Sequence, residues 1–504
     1  MPIHKFTASL DNTITNALKN GLQTRATGSN QGLADSLQVF SIYGQASGSD
    51  VGGKTLEKSR VLIQFPVDEI SAARTAGTIP ASGSVNFYLR MFNARHPFTV
   101  PREYTLVVNP VSQSWQEGYG LDTDSYIDTG YSNWIVASSA SSGITDWTTE
   151  GGTYITGAYP TNNQVYTYKQ TFVSGIEDLE LDVSNTVEDW ISGASPTKLP
   201  GNFGFGIFLT GSQEDGSQER SYYNKKFYAR GTEYFYKKPV IEARWEDIKT
   251  DDRGDFYLSS ALAPAADNLN NLYLYNYIKG TAKNIPVINT GEILVSIYSG
   301  TTGPSGNKLA LPVGGGVVSV DNTNITGAYV STGIYSASFA ITSSVSSTEY
   351  LFDVWHSGGL EYFTGSGFTP QSLTQYNSNP AEAYVLNITN LKPYYATNEK
   401  ARFRIFTRSQ TWNPTIYTKA TTAIEPTILR DAYYKVTRQL DKLKVIDYGT
   451  GSVKYTKLSY DVSGSYFDLD MSNLESGYAY NINVLSIEDG ATYEHPETFK
   501  FRVE

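Results

Sequence analysis

The feature that most constrains the fold of this chain is an alternation of apolar and polar residues with a period of two, which recurs from end to end. Side chains two residues apart lie on the same face of a β-strand, so each such segment predicts a strand with one buried face. The clearest apolar sets are Val61, Ile63 and Phe65; Val85, Phe87, Leu89 and Met91; Phe205, Ile207 and Leu209; Ile293, Val295 and Ile297; and Phe499, Phe501 and Val503. No helix longer than about two turns is apparent. The sequence therefore predicts an all-β chain.

A short helix signal interrupts the strands at residues 181–193. Val183, Val187 and Trp190 lie at helical spacing, Ser184 or Asn185 can cap the first turn, and Gly193 can end the last turn. Because the helical face is apolar, Trp190 is predicted to be a core residue.

The strand at residues 240–246 closes this part of the chain. Ile241, Ala243 and Trp245 alternate with Glu242 and Arg244, which predicts one apolar face and one polar face. Trp245 is therefore also predicted to lie in the core.

Composition excludes several classes of protein. The 504 residues contain 40% hydrophobic residues, so the chain is globular, and its length predicts about three domains. A formal net charge of −11 argues against a nucleic-acid partner, since a phosphate backbone is bound through a basic surface. The absence of cysteine rules out disulfides and a thiol nucleophile. The 38 tyrosines fit either cross-strand packing or an extensive partner surface.

The chain shows neither an N-terminal signal segment nor an apolar run near 20 residues, so we expect synthesis in a cytoplasm and no membrane partner. Turn-rich, charged residues follow the strand at 240–246, and a second interruption precedes residue 400. We therefore predict domains at 1–247, 248–392 and 393–504.

The last domain carries a spacing that is typical of immunoglobulin-like sandwiches. Leu474, Gly477 and Tyr480 match the L-x-x-G-x-x-Y pattern of a tyrosine corner, in which the tyrosine hydroxyl bonds to the backbone upstream. The second and third domains are accordingly predicted to be immunoglobulin-like β-sandwiches.

Three segments of the first domain resemble the DNRLRE family of carbohydrate-binding-module-like jelly rolls. They are SRVLIQFPVDEI followed by SVNFYLRMF; VVNPVSQSWQEG at 107–118; and LDVSNTVEDWISG with the closing KPVIEARW. The resemblance implies an N-terminal jelly-roll β-sandwich at 1–247. No sugar-contacting residue of the family can be matched onto this chain, so glycan binding is not implied by it.

A longer combination is similar to structural proteins of tailed phages: SWQEGYGLD, then SNW at 132–134, then ITDWTTEGG. The C-terminal LSYDVSGSYFDLDMSNLESGYAYNINV and HPETFKFRV have the same character. This resemblance implies a virion protein that binds other virion proteins and copies of itself.

Trp115 and Trp134 are the candidate glycan platform, because an exposed aromatic ring can stack on a sugar. Glu103, Glu117 and Asp122 lie near them in sequence, so the paired carboxylates of a glycoside hydrolase are conceivable. The competing interpretation is that Trp115 ends a core strand and Glu117 is exposed. We favour it and predict no catalytic residue.

Asp122, Asp124 and Asp128 in LDTDSYIDTG are the candidate calcium ligands, since alternate carboxylates in a loop can converge on a cation. The glycine and the closing glutamate of an EF-hand loop are missing. A solvated acidic loop is the favoured interpretation, and no metal or cofactor is expected.

The remaining candidates favour structural roles. The histidines at positions 4, 96, 356 and 495 are too scattered to predict a metal site or a catalytic triad. Residues 253–255 spell an Arg-Gly-Asp adhesion tripeptide, which a linker turn explains better.

Together these observations predict a non-enzymatic structural component of a bacteriophage virion. We expect it to be made in the host cytoplasm and to assemble in several copies at the neck or collar, the tail or the capsid surface. The alternative is a fibre or decoration module that binds a host receptor or surface glycan.

Overall fold

The computed structural model describes residues 2–504 except 20–23, 45–54, 97–99, 123–130, 141–142, 159–162, 194–197, 215–221, 262, 264–266, 313–321, 343–349, 373–382, 414–415, 417–425 and 489. Contacts divide the chain into two compact units. The first unit is Met1–Glu246 with Gly451–Tyr455, and the second is Asp247–Thr450 with Thr456–Glu504. The predicted boundary at residue 247 thus lies at the division, whereas the predicted boundary at residue 392 lies inside the second unit.

The first unit contains thirteen named strands and two α-helices among its described residues. They are β1 (Ile3–Thr7), β2 (Leu10–Thr15), β3 (Ser36–Gly44), β4 (Thr55–Gln64), α1 (Val67–Thr75), β5 (Asn86–Met91), β6 (Tyr104–Pro110), β7 (Val136–Ala140), β8 (Gly143–Asp146), β9 (Tyr168–Phe172), β10 (Leu179–Asp182), α2 (Ser184–Ser192), β11 (Phe205–Leu209), β12 (Tyr222–Tyr228) and β13 (Val240–Arg244).

Two antiparallel sheets form a sandwich in this unit. One has the order β1-β13-β5-β10, and the other has the order β12-β3-β4-β11-β6-β9, with β2 also pairing with β4. Their inner faces and the two helices share one core, which includes Val61, Phe87, Ile241 and both predicted core tryptophans, Trp190 and Trp245. The prediction that these tryptophans are core residues is confirmed.

The helices correct two details of the sequence prediction. The strand predicted from Val61, Ile63 and Phe65 ends before Phe65, because β4 ends at Gln64 and α1 begins at Val67, directly after Pro66. Proline before the first turn and acidic residues within it are helix-start signals. In α2 the predicted cap is also wrong, since Ser184 is already helical and Val183 precedes the helix.

Strand β13 buries its polar face as well as its apolar face. Glu242 has no solvent exposure, and its carboxylate contacts the side chains of Lys5, Arg90 and Arg244 at 3.5, 3.1 and 2.6 Å. Burial opposes ionisation of Glu242, yet the surrounding cations prevail and lower its pKa. Glu180 on β10 adds a further ion pair with Arg244 at 2.6 Å. Charge neutralisation is therefore what allows this face to be buried.

The second unit begins with eight strands that surround one core. They are β14 (Asn270–Tyr275), β15 (Tyr277–Ile278), β16 (Thr281–Ala282), β17 (Ile293–Gly300), β18 (Ile325–Ser331), β19 (Ile334–Phe339), β20 (Tyr350–Ser357) and β21 (Leu360–Thr364). Six of them form a continuous antiparallel sheet in the order β14-β19-β18-β17-β20-β21. Strand β18 pairs with β17 through its first residues and with β19 through its last ones. The predicted inward residues Ile293, Val295 and Ile297 are fully buried.

The C-terminal part of the second unit contains ten strands. They are β22 (Tyr384–Ile388), β23 (Tyr394–Tyr395), β24 (Lys400–Ser409), β25 (Ala432–Arg438), β26 (Lys444–Ile446), β27 (Ser459–Asp461), β28 (Gly464–Asp470), β29 (Ala479–Glu488), β30 (Ala491–Glu494) and β31 (Phe499–Val503). Two sheets, β22-β24-β28-β27 and β23-β31-β29-β25-β26, have the strand order of an immunoglobulin-like sandwich. The prediction of an all-β chain is confirmed.

A tyrosine hydroxyl fixes the entry into strand β29. Tyr480 is fully buried, and its hydroxyl donates a hydrogen bond of 2.7 Å to the backbone carbonyl of Glu475. Gly477 has a φ of 86°, in the left-handed region that favours glycine. This arrangement is a tyrosine corner.

Replacing Tyr480 with phenylalanine removes its hydrogen bond to the Glu475 carbonyl. We expect Tyr480→Phe to lower the stability of the C-terminal sandwich by about 1–2 kcal/mol. Hydrogen exchange of β29 amides, read by mass spectrometry, measures this change locally. Tyr493→Phe, at a tyrosine that is 53% exposed, is the matched control and should leave exchange unchanged. Equal protection of β29 in the wild type and in Tyr480→Phe contradicts the prediction.

Candidate functional site

Trp115 and Trp134, the candidate glycan platform, lie in a second apolar cluster on the outer side of the seven-stranded sheet. Their exposed fractions are 4% and 5%, and Leu62 of β4 packs with them, whereas Val61 and Ile63 face the main core. The sheet therefore buries both of its faces. Because neither indole is accessible, neither ring can stack on a sugar, and the core interpretation of Trp115 is the one that fits the structure.

Hydrogen bonds fix both the tryptophans and the segment that covers the sheet. The Trp115 indole donates to the Phe203 carbonyl at 2.8 Å, and the Trp147 indole donates to the Asn133 carbonyl at 2.9 Å. Asn12 and a second buried amide, Asn30, both donate to the Ser132 carbonyl, at 2.9 and 2.7 Å. The described residues of segment 111–147, which covers the sheet, are therefore held by packing and polar contacts.

The acidic residues near the tryptophans have structural partners. Glu117 accepts a hydrogen bond from the Asp11 amide at 2.7 Å and pairs with Arg230 at 2.7 Å. Burial raises the pKa of Asp11 to about 7, and a hydrogen bond from the Arg230 amide opposes that shift. Glu103 and Asp122 are exposed. Glu117 was predicted to be exposed, but it is half-buried and held by this ion pair.

The calcium hypothesis finds no support in the described part of the chain. Asp122 is exposed, while Asp124 and Asp128 lie outside the described residues. Among the described residues there is no group of three or more His, Asp or Glu that could hold a metal ion. Two of the histidines form hydrogen bonds with serine side chains. His356 Nε2 lies 2.7 Å from Ser296 Oγ, and His495 Nε2 lies 3.0 Å from Ser486 Oγ.

The Arg-Gly-Asp tripeptide is part of a connecting segment, residues 247–258, that is held by ion pairs. The Arg253 guanidinium forms two hydrogen bonds with Asp353, at 2.6 and 2.7 Å, and Asp353 is fully buried. The Asp255 carboxylate pairs with Arg430 at 2.8 Å. Both charged members of the tripeptide are therefore engaged within the second unit.

The connecting segment also extends an edge of the C-terminal sandwich. Thr250 forms a parallel bridge with Tyr460 of β27, and the Tyr460 amide donates to the Lys249 carbonyl at 2.9 Å. The Tyr460 hydroxyl donates to the buried Asp252 carboxylate at 2.8 Å. The sequence predicted charge and turns in this segment, but it did not reveal that Asp252, Arg253 and Asp255 have partners that are distant in sequence.

The other end of the connecting segment contacts the part of the second unit that contains strands β14–β21. Tyr257 forms a parallel bridge with Gln371, and the Leu258 amide donates to the Gln371 carbonyl at 2.8 Å. Phe256 is 1% exposed and packs against Phe339 and Phe368 of that core. The segment is therefore bound to strand β27 at one end and to the core around β14–β21 at the other, and it is not a free linker.

Strand β21 is a candidate interaction edge. In the described residues it pairs with β20 alone, so its other side carries unpaired backbone groups. Leu360 and Phe363 on this strand are 57% and 42% exposed, and Tyr350 on β20 is 46% exposed. An edge strand with exposed apolar side chains can pair with a strand of another chain.

Comparison with known proteins assigns this chain to no family. No protein-family profile and no curated protein matches the chain. The N-terminal Ig1-2 module of the Drosophila receptor protein tyrosine phosphatase DLAR is similar over 47% of this chain and 91% of that one, at 10% identity and a TM-score of 0.14. A DUF4785 family protein from Legionella pneumophila is similar over 83% of this chain and 90% of that one, at 8% identity and the same TM-score.

These TM-scores are too low for either likeness to carry an argument about fold or function. The fold assignment therefore rests on the strand pairing itself. In the described residues, no helix is both long and apolar enough to cross a membrane.

Truncating a buried tryptophan separates a core role from a binding role. We expect Trp134→Ala to destabilise the first unit by about 3–5 kcal/mol, because it leaves a cavity in the outer cluster. Calorimetric unfolding of the full chain measures the loss. Ile144→Ala, at a residue that is 53% exposed, is the control and should change stability little. Unchanged stability in Trp134→Ala contradicts the core assignment.

The connecting segment should give the second unit a defined pH dependence. Burial raises the pKa of Asp251 to about 7, and the Arg253 charge opposes the shift. Between roughly pH 4 and 7 the folded state therefore binds more protons than the unfolded chain, so stability falls as pH rises through this window. Asp251→Asn removes the ionisation, and its amide oxygen can still accept from the Arg253 amide.

We expect Asp251→Asn to be more stable than the wild type at pH 8 by on the order of 2 kcal/mol, and this difference should shrink toward pH 4. Calorimetric unfolding at several pH values tests it. The exposed Asp267→Asn is the control and should show no such trend. A stability difference that grows toward acid pH has the wrong sign and overturns the assignment.

Proposed function

We propose that this protein is a non-enzymatic structural component of a bacteriophage virion, made in the host cytoplasm and assembled in several copies through protein–protein contacts. The sequence resemblance to tailed-phage structural proteins, which spans most of the chain, motivates the virion setting. A position at the neck or collar, the tail or the capsid surface is consistent with a protein of this kind. Its partners are other virion proteins and further copies of this chain.

The observation that carries the proposal is the fixed connecting segment. A flexible linker suits modules that act independently, whereas a subunit that sets spacing within a particle needs defined geometry between its sheets. Here Arg253 pairs with a fully buried Asp353, and Tyr460 pairs with residues 249–252 through backbone and side chain. Strands β20 and β27, which are distant in sequence, thus both bind this one short segment.

The buried carboxylates among the described residues also favour a structural role over a catalytic one. Glu117 and Glu242, two buried or half-buried carboxylates, each have cationic partners within 3.5 Å. The alternative of a glycan-binding module loses its predicted platform, because Trp115 and Trp134 are buried. A role in assembly therefore accounts for more of the observations.

Membership in the particle is tested by mass spectrometry of virions purified from the phage that encodes this chain. The proposal expects its peptides in several copies per particle, in a constant ratio to the major capsid protein. The absence of these peptides from purified particles contradicts the proposal that the chain is a virion component.

Self-association should depend on the edge strand β21. We expect Phe363→Asp to weaken association of the full chain at least tenfold in analytical ultracentrifugation, because a charge on an exposed edge opposes strand pairing. Val287→Asp is the control, since Val287 is 74% exposed in the same sheet domain and lies outside the strands. Identical sedimentation of the wild type and Phe363→Asp excludes β21 as the contact.

A further inference from the structure

The C-terminal sandwich carries a basic, amide-rich face within an acidic protein. Residues 393–504 contain fourteen basic and fourteen acidic residues, so the net charge of −11 resides in the rest of the chain. On the outer side of the sheet β23-β31-β29-β25-β26 lies a depression of about 520 Å³. Its described lining comprises Lys435, Thr437, Gln439, Lys442, Lys444, Asn481, Asn483, Thr498 and Lys500. Four of the nine are lysines and none is acidic. We call this surface the lysine–amide face.

Strand register aligns the central residues of this face in one row. Lys444 of β26 lies opposite Thr437 of β25, Thr437 lies opposite Asn481 of β29, and Asn481 lies opposite Lys500 of β31. Neighbouring strands are about 4.8 Å apart, so the row spans about 14 Å from one lysine to the other. The row thus places an amide and a hydroxyl between two cations.

The amide at the centre of the row lacks a partner. Asn481 is 7% exposed, and its Oδ1 atom makes no hydrogen bond, although the residue lines the depression. A buried acceptor without a partner is unfavourable, so such a group in a native structure calls for an explanation. A ligand that donates a hydrogen bond into the depression would satisfy it.

Two of the four lysines are available to an anion. Lys435 pairs with Glu494 at 2.8 Å, and Lys444 pairs with Asp447 at 2.9 Å. Lys442 and Lys500 form no ion pair in the described part of the chain. The face therefore offers free positive charge beside an unpaired acceptor.

We propose that the lysine–amide face binds an acidic oligosaccharide, whose carboxylate or sulfate groups pair with Lys442 and Lys500 and whose hydroxyl groups bond to Asn481 and its neighbours. An ionised carboxylate or sulfate group accepts hydrogen bonds but cannot donate one to Asn481 Oδ1 at neutral pH, so the donor must come from another group of the ligand. Sugar hydroxyls both donate and accept, which matches the mixed amides and hydroxyls of the lining. No aromatic side chain lies in this lining, and single-stranded nucleic acid is bound largely by stacking on such rings. The inference does not depend on the virion role proposed above.

Isothermal titration of the full chain with trigalacturonate and with a heparin-derived tetrasaccharide tests the binding. At least one of them should bind saturably, whereas the neutral maltotriose should not. The affinity should fall with added salt, because charge pairing contributes to it. Failure of both acidic saccharides to bind overturns the proposal. So does equally tight binding of inorganic phosphate, hexa-aspartate or a ten-residue oligothymidylate, since each of these supplies charge without the sugar hydroxyl pattern.

Variants locate the site. Asn481→Ala and the double variant Lys442→Gln with Lys500→Gln should each weaken saccharide binding about tenfold or more. The double variant keeps the proposal testable if Asn481→Ala disturbs β29. The matched control, Lys392→Gln with Lys400→Gln, removes the same charge from exposed residues outside the face and should bind as the wild type does. Binding that survives the first double variant, or falls equally in the control, overturns the assignment.

Discussion

The structure depends above all on the burial of strand faces, because side chains that alternate in sequence must find an apolar partner layer on at least one side of each sheet. In the first unit the seven-stranded sheet has an apolar layer against each of its two faces. Val61 and Ile63 face the sandwich core, while Leu62 between them faces the outer tryptophan cluster. At these positions both faces of the sheet are therefore buried.

Charge plays an unusual part in the interior. Glu242 lies among Lys5, Arg90 and Arg244, and Asp353 lies under Arg253. Removing one member of such a pair leaves a buried charge uncompensated, which costs more than the pair itself contributes. These contacts therefore specify which segments come together, and the Arg253 pair does so for the connecting segment on which the proposed assembly role depends.

The lysine–amide face differs from the rest of the surface in both charge and chemistry. Lys500 lies opposite Asn481, whose Oδ1 acceptor the protein leaves unsatisfied, and Lys442 lines the same depression. A structural subunit and a saccharide site are compatible, since an immunoglobulin-like sandwich can carry a binding face on one sheet while its edges serve assembly.

The sequence by itself determined the all-β class, most strand cores and the tyrosine corner, because these follow from local periodicity and a short spacing around Tyr480. It also identified Trp190 and Trp245 as core residues. Only the tertiary structure decided that an outer cluster covers Trp115 and Trp134, that Glu242 is buried among cations, and that Asn481 lies in a row between Lys444 and Lys500. Those outcomes depend on partners tens to hundreds of residues away, and a local pattern carries no information about which distant strand will lie alongside it.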